Sequence, residues 1–158
     1  SAATATIKVN GQPFTYNIQN GYAVINRTWK KNDKVEVMLP MEVRTVTANE
    51  NVKDDIGKVA IQRGPLMYCA EWADNNGKTS NFILPAGTVF NNEFNATLLN
   101  GVMVLKAEVP AVVIEGNNIS TKKQLFTVIP YYSWANRGKG EMNVWFPRDV
   151  KDVEILTK

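Results

Sequence analysis

The chain has 158 residues, of which 44% are hydrophobic and 21% charged, the composition of a globular protein. Eighteen Lys and Arg against fifteen Asp and Glu give a net charge of +3, but the basic residues are spread along the chain, which excludes the basic stripe of a nucleic-acid-binding protein. No apolar run approaches the roughly 18–20 residues that a membrane helix needs, so neither a nucleic acid nor a membrane is predicted as a partner.

The first part of the chain predicts short strands joined by tight turns. The stretch TIKV (6–9) alternates apolar and polar residues, and Asn-Gly at 10–11 and again at 20–21 is the strongest short hairpin signal. Further strands are predicted at 13–18, 22–27, 35–39 and 42–46. We expect one face of these strands to point inward with the side chains of Phe14, Tyr16, Ile18, Val35, Val37 and Leu39.

The remainder also has the pattern of strands, and we see no long apolar stripe with the 3.6-residue period of a helix. Strands are predicted at 58–62, 66–72, 81–84, 96–107, 111–115 and 124–134, separated by loops rich in Gly, Asn, Pro and Asp. A strand every 8–12 residues predicts an all-β protein, an antiparallel and jelly-roll-like β-sandwich or two small sandwich subdomains. The polar stretch 47–57 is the predicted internal boundary.

The content of His and Cys excludes several kinds of active site. The chain has no His and a single Cys, Cys69, so it contains neither a Ser–His–Asp triad, nor a Cys–His pair, nor a cysteine-based zinc cluster. Cys69 lies in the apolar stretch LMYCAEW without a neighbouring cation, which is typical of a buried structural thiol. We therefore predict no catalytic residue, no metal site and no cofactor in this chain.

Arg63 stands at the end of a predicted strand, just before Gly64-Pro65. A guanidinium there could bind a carboxylate or a phosphate. The interpretation we favour is an ion pair within the fold, with Glu71 or Glu141 as the acidic partner.

The stretch PYYSWANRGKGEMNVWF (130–146) is the densest in aromatic residues. The pattern predicts a hairpin around the connection 135–140, with Met142, Val144 and Phe146 on one face, and favours packing of its rings in a core. The alternative is a platform on which sugars stack. The candidate sugar-binding or domain-interface residues are Tyr131, Tyr132, Trp134, Asn136, Arg137 and Trp145.

Four blocks of sequence, in this order, resemble the C-terminal part of glycoside hydrolase family 127, the β-L-arabinofuranosidase family. They are RTWKKNDKVEVMLPMEVR (27–44), DDIGKVAIQRGPLMYCAE (54–71), LLNGVMVL (98–105) and PYYSWANRGKGEMNVWFP (130–147). The resemblance implies β-sandwich domains that follow an (α/α)6 barrel. It also places catalysis in that barrel, with a cysteine nucleophile, a glutamate acid/base and a zinc ion, and none of those motifs is present here.

The resemblance further implies that residues 1–46 are the closing strands of a first sandwich and that 47–158 form a second. The expected role is to dock on the upstream barrel of the same protein and stabilise it, without enzymatic activity of its own. Two alternatives stay open, a carbohydrate-binding module for a plant-derived saccharide and a protein-interaction domain, and a homo-oligomer is a further expected partner. No signal peptide pattern is visible, and the resemblance points to the bacterial cytoplasm or periplasm.

Overall fold

The computed structural model describes residues 5–153, so the outermost residues of both predicted domains, 1–4 and 154–158, lie outside the described part. The described chain consists of β-strands, short 3₁₀ turns and loops, and all its strand pairs are antiparallel, which confirms the predicted all-β class. It divides into two compact units between Glu42 and Val43. No helix among residues 5–153 is long and apolar enough to cross a membrane.

Unit 1, which ends at Glu42, holds five short strands in two small sheets. Strands β1 (Thr6–Val9), β2 (Gln12–Pro13) and β5 (Val35–Met38) form one sheet in the order β2-β1-β5, and β3 (Asn17–Gln19) pairs with β4 (Tyr22–Val24). The two predicted Asn-Gly hairpins are confirmed. At both turns the Asn and the Gly take positive φ, the geometry that this dipeptide favours.

The prediction that one face of the unit 1 strands is buried is wrong for most of its side chains. Among the described residues of this unit only Ile7 and Val9 are buried hydrophobic side chains. Phe14 and Tyr16 are half-buried, while the other four members of the expected inward set are exposed, namely Ile18, Val35, Val37 and Leu39. The pattern identified an apolar face, but most of its side chains are exposed in the described part of the chain.

Unit 2 begins with β6 (Val43–Val46) and is built on one large sheet. Its strands are β7 (Lys58–Arg63), β8 (Leu66–Glu71), β9 (Asn91–Asn95), β10 (Val102–Glu115), β11 (Asn118–Pro130), β12 (Met142–Asn143) and β13 (Trp145–Pro147). The sheet order is β13-β7-β8-β11-β10-β9, with β6 paired to β7 and β12 paired to β8. Because β6 pairs with β7, residues 43–46 belong structurally with unit 2. The division into a first and a second sandwich stays a prediction.

The two faces of this sheet carry two apolar clusters. The larger cluster is built around three phenylalanine rings, in which Phe126 lies 4.8 Å from Phe82 and 5.0 Å from Phe146 between ring centroids. The smaller cluster contains Cys69 and Ile129, which alternate along their strands with residues of the first. The sheet is therefore apolar on both sides around β8 and β11.

Three predicted strands differ in the structure. The stretch 81–84 is not a regular strand, but its backbone links β10 to β13, because Ile83 N–H donates to Pro110 O and Leu84 N–H donates to Pro147 O. The predicted strands 96–107 and 111–115 are joined in one continuous strand, β10, which begins only at Val102 and has Pro110 inside it. Pro110 is tolerated because its carbonyl, and with it its nitrogen, points away from β11 toward Ile83, so the missing N–H costs no bond to β11.

Candidate functional site

The predicted aromatic hairpin is wrong, because its two arms do not pair with each other. Strand β11 ends at Pro130, which lies opposite Tyr68 of β8, whereas β12 pairs with Ala70 and Glu71 of the same strand. The residues between them, 131–141, form a loop that we call the aromatic loop, and it opens with a 3₁₀ turn at Tyr131–Ser133. Long-range pairing to β8 replaced the local hairpin.

The rings of the aromatic loop lie at the surface rather than in a core. Tyr131, Tyr132 and Trp134 are 44%, 68% and 42% exposed. Tyr131 and Trp134 stack on each other, with ring centroids 5.9 Å apart and planes inclined by 16°. The expectation that these rings pack in a core is therefore wrong, since the hairpin that would have buried them does not form.

Arg137 fixes the middle of the aromatic loop to two carboxylates of unit 2. Its Nη1 and Nη2 donate to the two oxygens of Asp74, each at 2.6 Å, and its Nε donates to Oε2 of Glu71 at 3.0 Å, with a further contact from Nη2 to Glu71. Glu71 is 2% exposed. The hydrogen bond to Asp74 is the main cause that raises the pKa of Arg137, so the guanidinium is charged at any ordinary pH.

The backbone of the loop is held by further hydrogen bonds around Arg137. The N–H of Ala135, which has a φ of +68°, donates to Glu71 Oε1 at 3.2 Å. The side-chain amide of Asn136 donates to the carbonyls of Ser133 and Trp134, at 3.1 and 3.2 Å. The polar groups of Asn136 and Arg137 are thus engaged within the loop and its anchor.

The far end of the loop is anchored at Glu141 and Gly140. The Glu141 carboxylate accepts from the N–H groups of Thr79 and Ser80 and from the Ser80 hydroxyl, and these bonds lower its pKa. A Cβ on Gly140 would come within 1.9 Å of Trp72 Cδ1, so only glycine allows the loop to lie this close to the Trp72 ring. The loop that carries the exposed rings is therefore held at its middle by Arg137 and at its far end by Glu141.

Trp145 and its neighbours lie on β12 and β13, outside the aromatic loop. Trp145 is half-buried opposite Ala60 of β7, and no ring contact joins it to another aromatic residue within residues 5–153. Met142 and Val144 pack on the smaller cluster, whereas Phe146 belongs to the larger one. The expectation that these three share a face is wrong, because the strand is interrupted between β12 and β13.

The single thiol of the chain and one open cleft are the remaining candidate features of the described residues. Cys69 is completely buried, and that burial raises the pKa of its thiol to about 12, so it is not a thiolate at neutral pH. No group of three or more His, Cys, Asp or Glu side chains within residues 5–153 could hold a metal ion. An open cleft of about 430 Å³ is lined by acids and bases side by side, among them Asp55, Arg148, Lys151 and Asp152, and favours neither sign of charge.

Sequence reasoning missed the supports of the aromatic loop. The predicted ion pair of Arg63 with Glu71 or Glu141 is wrong, because Glu71 binds Arg137 and Glu141 binds Thr79 and Ser80. The signal that could have identified the anchor is the spacing of Glu71 and Asp74. Glu71 precedes the 3₁₀ turn Trp72–Asp74 and Asp74 ends it. The turn brings the two carboxylates to one side of the chain, where one guanidinium can reach both.

Two family models match the chain almost end to end. Residues 43–147 match the glycoside hydrolase family 127 C-terminal domain, and residues 2–41 match the beta-L-arabinofuranosidase GH127 middle domain. A non-reducing end beta-L-arabinofuranosidase of Bifidobacterium longum subsp. longum is 35% identical over 162 residues, which cover 92% of this chain and 24% of that protein.

Solved structures are similar over both units. A GH127 beta-arabinofuranosidase is 39% identical with a TM-score of 0.89, over 96% of this chain and 24% of the other. A GH127 beta-L-arabinofuranosidase from Geobacillus stearothermophilus T6 is 36% identical with a TM-score of 0.81, over 92% of this chain and 25% of the other. The chain spans about a quarter of the length of these relatives.

Proposed function

Since the chain belongs to glycoside hydrolase family 127, we propose that it is a non-catalytic region of such an enzyme, which docks on a catalytic (α/α)6 barrel in the same polypeptide and stabilises it. The relatives are named as arabinofuranosidases, so the proposed reaction of the whole protein is hydrolysis of terminal β-L-arabinofuranosides. The single buried thiol and the missing His support the proposal that this region itself takes no part in bond cleavage.

The aromatic loop is the observation that carries the docking role. Its rings bring a large apolar area to the surface, and two carboxylates and a close glycine contact hold them in place. Rigid aromatic side chains are the typical anchors of protein interfaces, because they bury much surface and lose little conformational freedom on binding. Such a surface fits a permanent partner within the same protein.

Docking is favoured over sugar binding because the polar side chains of the aromatic loop are already hydrogen-bonded within the protein. A sugar platform needs a free ring face together with hydrogen-bond donors and acceptors for the hydroxyl groups. Here Tyr131 and Trp134 each cover one face of the other, and Asn136 and Arg137 are already engaged in internal hydrogen bonds. The ring of Tyr132 is left as the most exposed apolar group of the loop.

The exposed apolar side chains of unit 1 support the same proposal. Its two small sheets expose a set of large apolar side chains, Ile18, Tyr22, Val37, Met38 and Leu39, while only Ile7 and Val9 are buried hydrophobic residues among those described. Burying one such side chain contributes about 1.5–3 kcal/mol, so a face of this size favours a partner. We propose that further strands of the middle domain, outside this chain, cover it.

The docking role can be tested with Tyr132→Ala and Trp134→Ala, each made in this chain and in the full-length protein that contains it. We expect thermal unfolding of the isolated chain to change little, because both rings are exposed, and unfolding of the full-length protein to occur at a lower temperature. Phe94→Ala is the control, since its ring is also exposed but lies on β9.

A saccharide-binding assay distinguishes docking from the alternative, a carbohydrate-binding function. The isolated chain is titrated with arabino-oligosaccharides in a calorimeter, and no binding is expected. Saccharide binding that Trp134→Ala abolishes, together with unchanged stability of the full-length variants, would replace docking by a carbohydrate-binding function.

A further inference from the structure

Arg63 stands next to the aromatic loop at one end of the large sheet. It is the last residue of β7 and lies opposite Leu66 across the Gly64-Pro65 turn, so it sits beside the start of β8. Pro130, the residue before the aromatic loop, pairs with Tyr68 two residues further along β8. The register therefore places Arg63 and the start of the aromatic loop beside the same short stretch of β8, Leu66 to Tyr68.

The guanidinium of Arg63 has a phenol for a neighbour and no acid. The Tyr68 hydroxyl donates to the carbonyl of Met103 at 3.0 Å. Burial raises the pKa of Tyr68, the charge of Arg63 opposes that rise, and the phenol of Tyr132 adds to it, as expected if all three side chains are close together. Within residues 5–153 no carboxylate forms an ion pair with Arg63.

One donor of this side chain is also unused. The Nε of Arg63 is buried and has no acceptor among the described residues, although the residue as a whole is half-buried. Two other buried polar atoms of unit 2, Trp72 Nε1 and Asn81 Oδ1, lack a partner too, but both belong to neutral groups. Burying part of a cation without a counter-ion costs far more free energy than burying a neutral polar group without a hydrogen bond. Of the three residues, Arg63 is therefore the one for which a partner is expected.

We propose that Arg63 is the receptor for a carboxylate, carried by an Asp or Glu on a segment of the same polypeptide outside these 158 residues. The inference rests on the proposed docking function and names the polar contact of that interface. A carboxylate is the partner because the outer N–H groups of the guanidinium are parallel and match its two oxygens. The segment belongs to the same polypeptide because the relatives are four times as long as this chain.

The first test uses the opposite signs that the inference predicts for Arg63→Gln. In the isolated chain the substitution removes an unpaired charge, so the unfolding temperature should stay the same or rise. In the full-length protein it leaves the partner carboxylate without its cation, so the unfolding temperature should fall. Arg44→Gln is the matched control, because Arg44 is exposed on the adjoining strand β6 and should give the same small shift in both proteins. A shift of the same sign in both proteins for Arg63→Gln would overturn the inference.

The second test locates the carboxylate in the full-length protein and does not depend on unfolding. Arg63→Lys introduces an amine that a carbodiimide can couple directly to a neighbouring carboxylate, and mass spectrometry identifies the joined peptides. We expect position 63 to be joined to an Asp or Glu outside residues 1–158, and the same treatment of Arg44→Lys to give no such link. Coupling only within residues 1–158, or none, would overturn the inference.

The two proposals fail in distinguishable ways. If Tyr132→Ala and Trp134→Ala destabilise the full-length protein but position 63 gives no external link, docking stands and the carboxylate receptor is wrong. If neither aromatic variant affects the full-length protein, the docking function itself is wrong.

Discussion

Replacing Arg137 by Ala should remove the main anchor of the aromatic loop. The guanidinium is the shared partner of Glu71 and Asp74, whose side chains are only 3% and 16% exposed. Without it, Glu71 keeps one donor, the N–H of Ala135, and its other oxygen remains desolvated and unpaired. Removing one partner of a buried ion pair typically costs about 3–5 kcal/mol, because the remaining charge is left uncompensated.

That loss is large compared with the stability of a typical domain, about 5–15 kcal/mol. For a unit of this size, each kcal/mol lowers the unfolding temperature by roughly 3–5 °C, so Arg137→Ala should lower it by about 10–25 °C. The assay is thermal and urea unfolding of this chain followed by circular dichroism. Lys122→Ala, which breaks an exposed pair with Glu115, is the control and should cost less than about 1 kcal/mol.

A double variant separates the loss of the ion pair from the loss of packing. Arg137→Met combined with Glu71→Gln removes both charges of the Arg137–Glu71 pair, leaves Asp74 in place, and should be less destabilising than the sum of the two single changes. If Arg137→Ala is no more destabilising than Lys122→Ala, the ion pairs do not hold the aromatic loop and the argument for a rigid docking surface fails.

Four further predictions concern the chain itself. Cys69 should react with a thiol reagent at pH 8 only as fast as the protein unfolds, because it is buried and its pKa is raised to about 12, and rapid labelling of the native protein would contradict its placement. Glu141 has a lowered pKa in the folded state, so its contribution to stability is present above its ordinary value of 4.5 and is lost as the pH falls below it. Urea unfolding at pH 3 and pH 7 should therefore show a smaller acid-induced loss in Glu141→Gln than in the unmodified chain. Light scattering should show self-association that increases with concentration, through the exposed apolar face of unit 1, whereas a strict monomer at every concentration would mean that this face needs no cover. The chain alone should not hydrolyse aryl arabinofuranosides, with or without added zinc, and turnover that Cys69→Ser abolishes would reverse the assignment of this region as non-catalytic.

The sequence predicted those features of the fold that depend on neighbouring residues. The two Asn-Gly turns were predictable because this dipeptide adopts positive φ at both positions with little strain. The alternation of Ile7 and Val9 with polar residues likewise identified the buried face of β1. Both features rest on a few adjacent residues, so no knowledge of distant strands was needed.

What the sequence could not predict are the choices among distant partners. The period of two assigns side chains to faces, but it does not say which strand lies alongside, so the arms of the supposed hairpin were paired with each other instead of with β8. For the same reason the sequence could not show that Glu71, one of the two predicted partners of Arg63, binds Arg137, 66 residues away along the chain. The candidate residues of the aromatic loop were identified by composition, whereas their anchor and exposure required the structure.

The docking proposal requires that the aromatic loop is covered when this chain is part of the whole protein. Hydroxyl-radical footprinting measures it directly, as the oxidation rates of Tyr131, Tyr132 and Trp134 in the isolated chain and in the full-length protein. We predict rapid oxidation in the isolated chain and strong protection in the full-length protein, with Phe94 as an internal reference outside the loop. Equal oxidation rates of the three rings in both proteins would contradict it.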